Sequence, residues 1–384
     1  MKKKQILFEA GPMIDDHKTG VGYYVDHLIS TLGAKHSNDI ELTGYYFNFL
    51  NRKYVKPQRA GVNFSKITVI PGKLLSLCRR FGFQPFLEIF IRREADLILF
   101  TNYVSLPLLG KKKKALVVYD LSFLDYPEFT QTINLTYLQR FCKPSIEQAD
   151  LIITISEFTK DRLKYHFPES TAKMIVTPIP PISINADFKE LGKSLLDLGI
   201  KKDRYILYLG TLEPRKNIES LVSAYSNLPA ATRSQYSLVL AGGKGWKDEG
   251  IIAAISDAIG KNLDIIQTGY ISDSMKSELY SNASCFVLPS HYEGFGMPIL
   301  EAMQYKLPIA ISDLAVFHEV ASNGALYFDK DNPDDISRKI MLLLYDKDLG
   351  IRLVEKGQRQ LKTFSWTNNA DLVYSAIKEI TSKP

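Results

Sequence analysis

Two glutamates, Glu293 and Glu301, are separated by seven intervening residues in the stretch His291-Tyr-Glu-Gly-Phe-Gly-Met-Pro-Ile-Leu-Glu301. An apolar segment, Cys285 to Ser290, precedes them and reads as a strand. Pro298 to Met303 follows and reads as the first turn of a helix, where a proline costs nothing because that turn's N–H groups have no partner within the helix. Strand, glycine-rich loop and helix therefore succeed one another. Glu293 falls at the strand's carboxyl end, where open α/β sheets bind ligands, and Glu301 about one turn into the helix on the same side. Carboxylates so placed can grip sugar hydroxyls. The plainer alternative is a solvated loop charge at Glu293 and a helix-dipole carboxylate at Glu301.

A second pair has the opposite sign. Arg204 to Gly210 reads as a buried strand, and Thr211-Leu-Glu-Pro-Arg-Lys-Asn217 leads from it into a helix over Ile218 to Tyr225. Arg215 and Lys216 thus lie near a helix amino terminus, which already favours an anion. A guanidinium fork beside an ammonium point charge suits a diphosphate. The alternative is a solvated pair of cations. Gly20-Val21-Gly22 closes a loop between a strand, Lys4 to Ala10, and an amphipathic helix, Tyr23 to Leu32, and its backbone N–H groups can approach a phosphate. It is not the G-x-G-x-x-G fingerprint. Asp120 ends a strand, Ala115 to Tyr119, at another carboxyl-end position, although a loop carboxylate capping the next turn reads equally well.

These elements must be positioned by sheets. Further short apolar strands are expected at Glu41 to Phe47, Lys66 to Ile70, Leu97 to Phe100, Leu151 to Ile155, Tyr236 to Leu240, Ile265 onward, Pro308 to Ile311 and Ala325 to Phe328. Helical or loop segments separate them, which argues for parallel sheets with helices on both faces. Helices are also expected at Leu191 to Leu198, Met275 to Ala283, Asp334 to Tyr345 and Asn368 to Ile380, and Ser156 is placed to cap a helix. The proline-rich Thr177 to Asp187 reads as a stiff linker. With 384 residues, 45% hydrophobic, the chain is long enough for two domains. They are expected at residues 1–185 plus 365–384, and at 186–364.

The stretch E-G-F-G-M-P-x-x-E-A-M resembles the signature of family 4 retaining glycosyltransferases, mannosyltransferase-like members included, and the resemblance runs from the first loop to the final Trp366 helix. It implies the GT-B fold: two facing Rossmann-like domains with a cleft between them and a last helix crossing back to the first. It implies that Glu293 contacts the donor sugar and Glu301 the ribose, with Gly294, Phe295, Gly296, Met297, Pro298 and Ile299 around the donor. Arg215 and Lys216 fall on the family's basic positions, in a G-x-x-x-x-x-K-N pattern that begins at Gly210. Gly20, Val21 and Gly22 match a loop that bears on the diphosphate and the acceptor. Gly242 lies in a loop placed beside the nucleotide, and Gly269-Tyr270-Ile271 matches backbone that holds the base edge.

One departure stands out, because Tyr119 occupies the place of a histidine in the family's H-D-L-x-x-x-x-x-P-E stretch, and a tyrosine cannot titrate like imidazole near neutral pH. Asp120 is then the acceptor-side residue. The implied reaction moves a hexose, mannose first, from a nucleotide-diphosphate sugar to a growing glycan or lipid-linked saccharide. The alternative is a non-catalytic nucleotide-sugar-binding or scaffold protein of the same fold. Neither a metal nor a cofactor is expected.

Charge is uneven. Residues 50–114 carry 14 basic and 3 acidic residues within an overall net charge of +6, interleaved with large apolar side chains. Such a stretch suits an anionic membrane surface, or else buries its apolar part and solvates its charges. No motif supports nucleic acid. The amino-terminal apolar run ends at Glu9, short of a signal peptide, and three unpatterned cysteines suit a reducing compartment. The expected location is the cytoplasm, at most the inner face of the membrane.

Overall fold

The computed structural model describes residues 3–14, 19–49, 58–68, 83–91, 93–110, 112–182 and 194–382. The chain divides into two compact units, Met1–Ile179 with Ser365–Pro384, and Pro180–Phe364. The domain break expected at 185/186 lies outside the described residues.

The first unit is built on β1 (Lys4–Glu9), β2 (Ile40–Phe47), β3 (Val62–Ile67), β4 (Leu97–Phe100), β5 (Lys113–Val118), β6 (Leu151–Thr154) and β7 (Lys173–Val176). All pair in parallel, in the order β3-β2-β1-β4-β5-β6-β7. Every residue of β4 and β6 is buried. That follows from their continuous apolar sequence, since an inner strand of a parallel sheet is covered on both faces. The core beneath gathers Leu7, Ile98, Leu116 and Ile152 from four of these strands.

The second unit repeats the design with β8 (Tyr205–Leu209), β9 (Ser237–Ala241), β10 (Ile265–Gly269), β11 (Cys285–Leu288), β12 (Ile309–Ser312) and β13 (Leu326–Phe328). Their order is β10-β9-β8-β11-β12-β13, again all parallel. In both sheets the chain winds outward one way from a founding strand and then returns to wind the other. This is the dinucleotide-fold order, and it opens a crevice at the carboxyl ends where the direction reverses, between β1 and β4 and between β8 and β11.

Several expectations need correction. The edge strand β3 spans Val62–Ile67, paired with Leu42 to Phe47, and not Lys66 to Ile70; residues 69 and 70 lie outside the described set. The first helix runs Gly20–His36, so Gly20-Val21-Gly22 forms its first turn and not a loop before it. Of the helix expected at Leu191 to Leu198, the described part from Ser194 makes turns only. Ser156 does cap the Glu157–His166 helix, accepting the Thr159 N–H at 3.0 Å.

The final helix, Trp366–Ser382, belongs to the first unit. Lys35 Nζ donates to Asp371 at 2.6 Å and Asn369 Nδ2 to the Pro178 carbonyl at 2.6 Å. The His36 ring stacks on Tyr374 with centroids 4.1 Å apart.

Candidate active site

The switch point of the second sheet collects charge. After β8 the chain makes a 3-10 turn over Pro214–Lys216 and then places Asn217 in the left-handed region at φ 54°, which starts the Ile218–Ser226 helix. Asn217 tolerates that conformation better than most residues, and its Nδ2 donates to the Lys330 carbonyl at 2.8 Å. The loop after β11 is tied to this turn by the His291 N–H, which donates to the Arg215 carbonyl at 2.8 Å.

Within this frame Lys216 Nζ donates to Glu293 Oε1 at 2.5 Å, and Ser290 Oγ donates to the same oxygen at 2.9 Å. Arg215 Nη1 donates to Glu293 Oε2 at 2.6 Å and to the Tyr292 carbonyl at 2.8 Å. Its Nη2 donates to Glu213 Oε1 at 2.6 Å. Glu213, Lys216 and Glu293 are all buried. Two carboxylates thus balance two cations. Burial by itself would push the Glu293 carboxyl up, but Arg215 and Lys216 overcome it and hold the group at about 2. Glu293 is therefore an anion near neutral pH, unsuited to proton transfer there and suited to accepting hydrogen bonds.

Glu301 lies on the buried side of the Met297–Gln304 helix. Gly296 starts that helix at φ +107°, and a Cβ there would meet the Phe317 ring at 2.9 Å. Glycine is thus required by both backbone and space. Pro298, which has no N–H, sits in the helix's first turn, no side chain caps the amino terminus, and the Ile299 N–H donates to the Gly296 carbonyl at 3.0 Å. Glu301 is held by Lys276 Nζ on Oε1 and by Tyr280 Oη on Oε2 at 3.0 Å. Both come from the Asp273–Asn282 helix, one turn apart. Beside them, Ile299 and Phe295 are buried, the latter edge-on to Phe364 at 6.0 Å.

The carboxyl ends of β8, β9 and β10 meet backbone to backbone. The Gly210 N–H donates to the Ala241 carbonyl at 2.9 Å and the Gly242 N–H to the Gly269 carbonyl at 3.1 Å. Gly242 has φ +146°, and a Cβ on it would lie 2.0 Å from the Gly210 oxygen. Tyr270, just beyond, is exposed and Ile271 half-buried.

The remaining candidates belong to the first unit. Asp120 Oδ1 accepts from Ser122 N–H at 2.9 Å and Ser122 Oγ at 2.7 Å, closing the turn that begins the Ser122–Asp125 helix. Tyr119 is buried, its Oη donating to the Thr101 carbonyl at 2.8 Å, and burial pushes its phenol well above the ordinary range. Its ring packs edge-on against Tyr24 at 5.7 Å and Tyr103 at 5.8 Å. The residue at the family's histidine position is thus an aromatic core residue in this chain.

Glu213, Ser290, Lys276 and Tyr280 were not singled out from sequence. Only Glu213 carried a local signal, as an acid two residues before Arg215; the others are recognisable only once the strands bring them to the glutamates. Among the described residues no group of three or more His, Cys, Asp or Glu side chains is placed to hold a metal ion.

A family description, "Glycosyl transferases group 1", matches residues 197–360. O-antigen chain mannosyltransferase B of Escherichia coli is 30% identical, over 97% of this chain and 99% of its own length. O-antigen chain mannosyltransferase RfbU of Salmonella typhimurium is 28% identical, over 65% of this chain and 64% of its own. Among solved structures, sucrose-phosphate synthase from Thermosynechococcus elongatus superposes with a TM-score of 0.70 at 17% identity, covering 100% of both chains. That likeness shows the shared fold, GT-B.

Proposed function

The chain belongs to the glycosyl transferases of group 1, and from that membership we propose that it moves a mannosyl residue from a nucleoside-diphosphate donor to a growing glycan or lipid-linked saccharide, with retention of configuration. It is a glycosyltransferase. The mannose and polysaccharide parts of the reading draw on the names of its relatives in Escherichia coli and Salmonella typhimurium, both O-antigen chain mannosyltransferases.

The observation that carries the site is the convergence of Arg215, Lys216 and Glu293 at the switch between β8 and β11. On this reading the donor diphosphate takes up Arg215 and Lys216, which stabilise the charge that grows as the diphosphate leaves. Glu293, released from these cations, turns its acceptor oxygens to the hydroxyls of the transferred sugar. Glu301 does the same for the ribose, exchanging Lys276 or Tyr280 for a hydroxyl. The Gly294–Pro298 stretch and the backbone at Gly210, Gly242 and Gly269 line the donor, with Tyr270 and Ile271 at the base edge. Gly20, Val21 and Gly22 offer the first-turn N–H groups of their helix, and Asp120 offers Oδ2 to an acceptor hydroxyl. The acceptor attacks on the face from which the diphosphate leaves. No side chain is assigned as nucleophile, and no metal or cofactor takes part.

The proposed place of work is the cytoplasmic face of an anionic membrane. A short 3-10 turn, Leu87–Ile89, is anchored by buried Leu87, while Phe83 and Ile89 are each 62% exposed, with Phe86 and Leu109 also turned outward. Glu88 is pinned beside them by Lys112 Nζ at 2.6 Å and by the Leu109 N–H at 3.1 Å. Outward aromatics within a stretch of 14 basic and 3 acidic residues fit a headgroup layer of opposite charge. Among the described residues no helix is long and apolar enough to cross a membrane.

The test is nucleotide release from GDP-mannose and from other nucleotide sugars, with and without a lipid-linked saccharide acceptor. Release that depends on acceptor, with mannose recovered in the product, supports the proposal. Absence of acceptor-dependent release from every donor overturns it.

A further inference from the structure

Arg215 and Lys216 do not await an anion empty-handed. Both already face Glu293, and Arg215 has a second carboxylate, Glu213, on the other arm of its fork. An incoming diphosphate must therefore compete with a carboxylate for the same N–H groups, and the two glutamates are not equivalent competitors. Glu293 bridges both cations and sits in a glycine-rich loop. Glu213 is 3% exposed, accepts from Nη2 of the guanidinium, and sits beside Pro214, whose ring fixes the backbone of the turn. Its Cβ lies under the Gly245 backbone, where a Cβ added to Gly245 would meet it at 3.0 Å.

We infer that Glu213 is a positioning residue that holds the Arg215 guanidinium by Nη2 throughout turnover, leaving Glu293 as the partner that exchanges with the donor diphosphate. The Tyr292 carbonyl on Nη1 is the second fixed point. With two anchors that stay and one that leaves, the plane of the guanidinium is the same before and after the donor binds. A preorganised donor costs no reorientation as charge develops on the leaving group. The second consequence concerns release. A buried negative charge on the far side of Arg215 repels a bound diphosphate and limits how tightly the product is held. This role rests on the donor reading given above.

Charge and hydrogen bond can be separated by substitution. Glu213→Gln keeps an acceptor for Nη2 and removes the charge; Glu213→Asp keeps the charge and shortens the reach; Glu213→Ala removes both. Dissociation constants for GDP and UDP are measured by calorimetry on the full chain, and kcat and KM with the donor that the wild type uses. For Glu213→Gln the expected result is product binding tightened about three- to tenfold. For Glu213→Asp the expected result is nucleotide affinity close to wild type and kcat down at least about tenfold. In an Arg215→Gln background neither change has a further effect. A purely structural glutamate would lower melting temperature in all three variants without tightening the nucleotide in any. Unchanged or weaker GDP and UDP binding by Glu213→Gln overturns the role, as does equal kcat in the aspartate variant and wild type. Should Glu213→Gln not fold, the Glu213→Asp result decides alone. Failure of the wild type to bind either nucleotide overturns the donor reading itself, and this role with it.

Discussion

At the carboxyl ends of β8 and β11, four charged side chains form one hydrogen-bonded group, whereas at the carboxyl end of β5 the buried side chain is Tyr119, set among Tyr24 and Tyr103. The two sheets share the same strand order around their founding strands. The frame is therefore not what separates the two ends. The difference lies in a few loop residues. In the second unit a proline turn and a left-handed Asn217 bring two cations over two acids. In the first, Asp120 spends Oδ1 on closing its own turn. On the proposed reading the paired charges of the second unit meet the charged donor, while Asp120, with Oδ1 used in closing its turn, meets an acceptor hydroxyl through Oδ2.

That contrast can be broken by substitutions on either side. Glu293→Gln is expected to have the largest effect, a loss of at least about a hundredfold in kcat/KM, because it replaces one of the two acceptor oxygens with a donor and leaves buried Lys216 and half-buried Arg215 short of a negative charge; a steady-state assay on the folded variant checks it. Lys216→Ala should lower kcat/KM at least about tenfold. On the acceptor side, Asp120→Ala is expected to raise the acceptor KM several-fold while leaving nucleotide affinity unchanged, and a change in nucleotide affinity would erase the division of labour. Tyr119→Phe should be the mildest, costing about 1 kcal/mol of stability for one hydrogen bond and leaving kcat within about threefold. A larger fall in kcat would give the phenol a chemical role.

Stability against acid reads the charged group separately. Glu293 is depressed from 4.5 to about 2 in the folded chain, so the unfolded chain binds its proton first as pH falls. Its contribution is full above 4.5 and is lost as pH falls toward about 2. Glu293→Gln should therefore flatten the acid limb of a denaturation midpoint against pH in that window and leave the shape above pH 5 unaltered.

The fold was legible where burial acts on both faces of a strand. Leu97–Phe100 and Leu151–Thr154 are apolar at every position because helices or neighbouring strands cover them, and sequence alone places them to within a residue. The edge strand Val62–Ile67 alternates Asn, Ser and Lys with apolar residues and is only partly buried, so its apolar run points several residues too late. Gly20-Val21-Gly22 reads as loop because glycine disfavours helix, yet it is the first turn of a long helix, whose remaining residues and packing outweigh the propensity. Arg215, Lys216 and Glu293 carried the right chemistry as types in loops. Their pairing did not show, because Lys216 and Glu293 are 77 residues apart and meet only through the β8–β11 adjacency. Glu213 differs, since it stands two residues from Arg215 and carried a local signal.

The central claim, that the charged group of the second unit holds the donor diphosphate, is tested most directly by calorimetric titration of GDP and UDP into wild type, Lys216→Ala and Asp120→Ala. The account predicts a dissociation constant raised at least about tenfold by Lys216→Ala and unchanged by Asp120→Ala. Equal affinity in wild type and Lys216→Ala would contradict it.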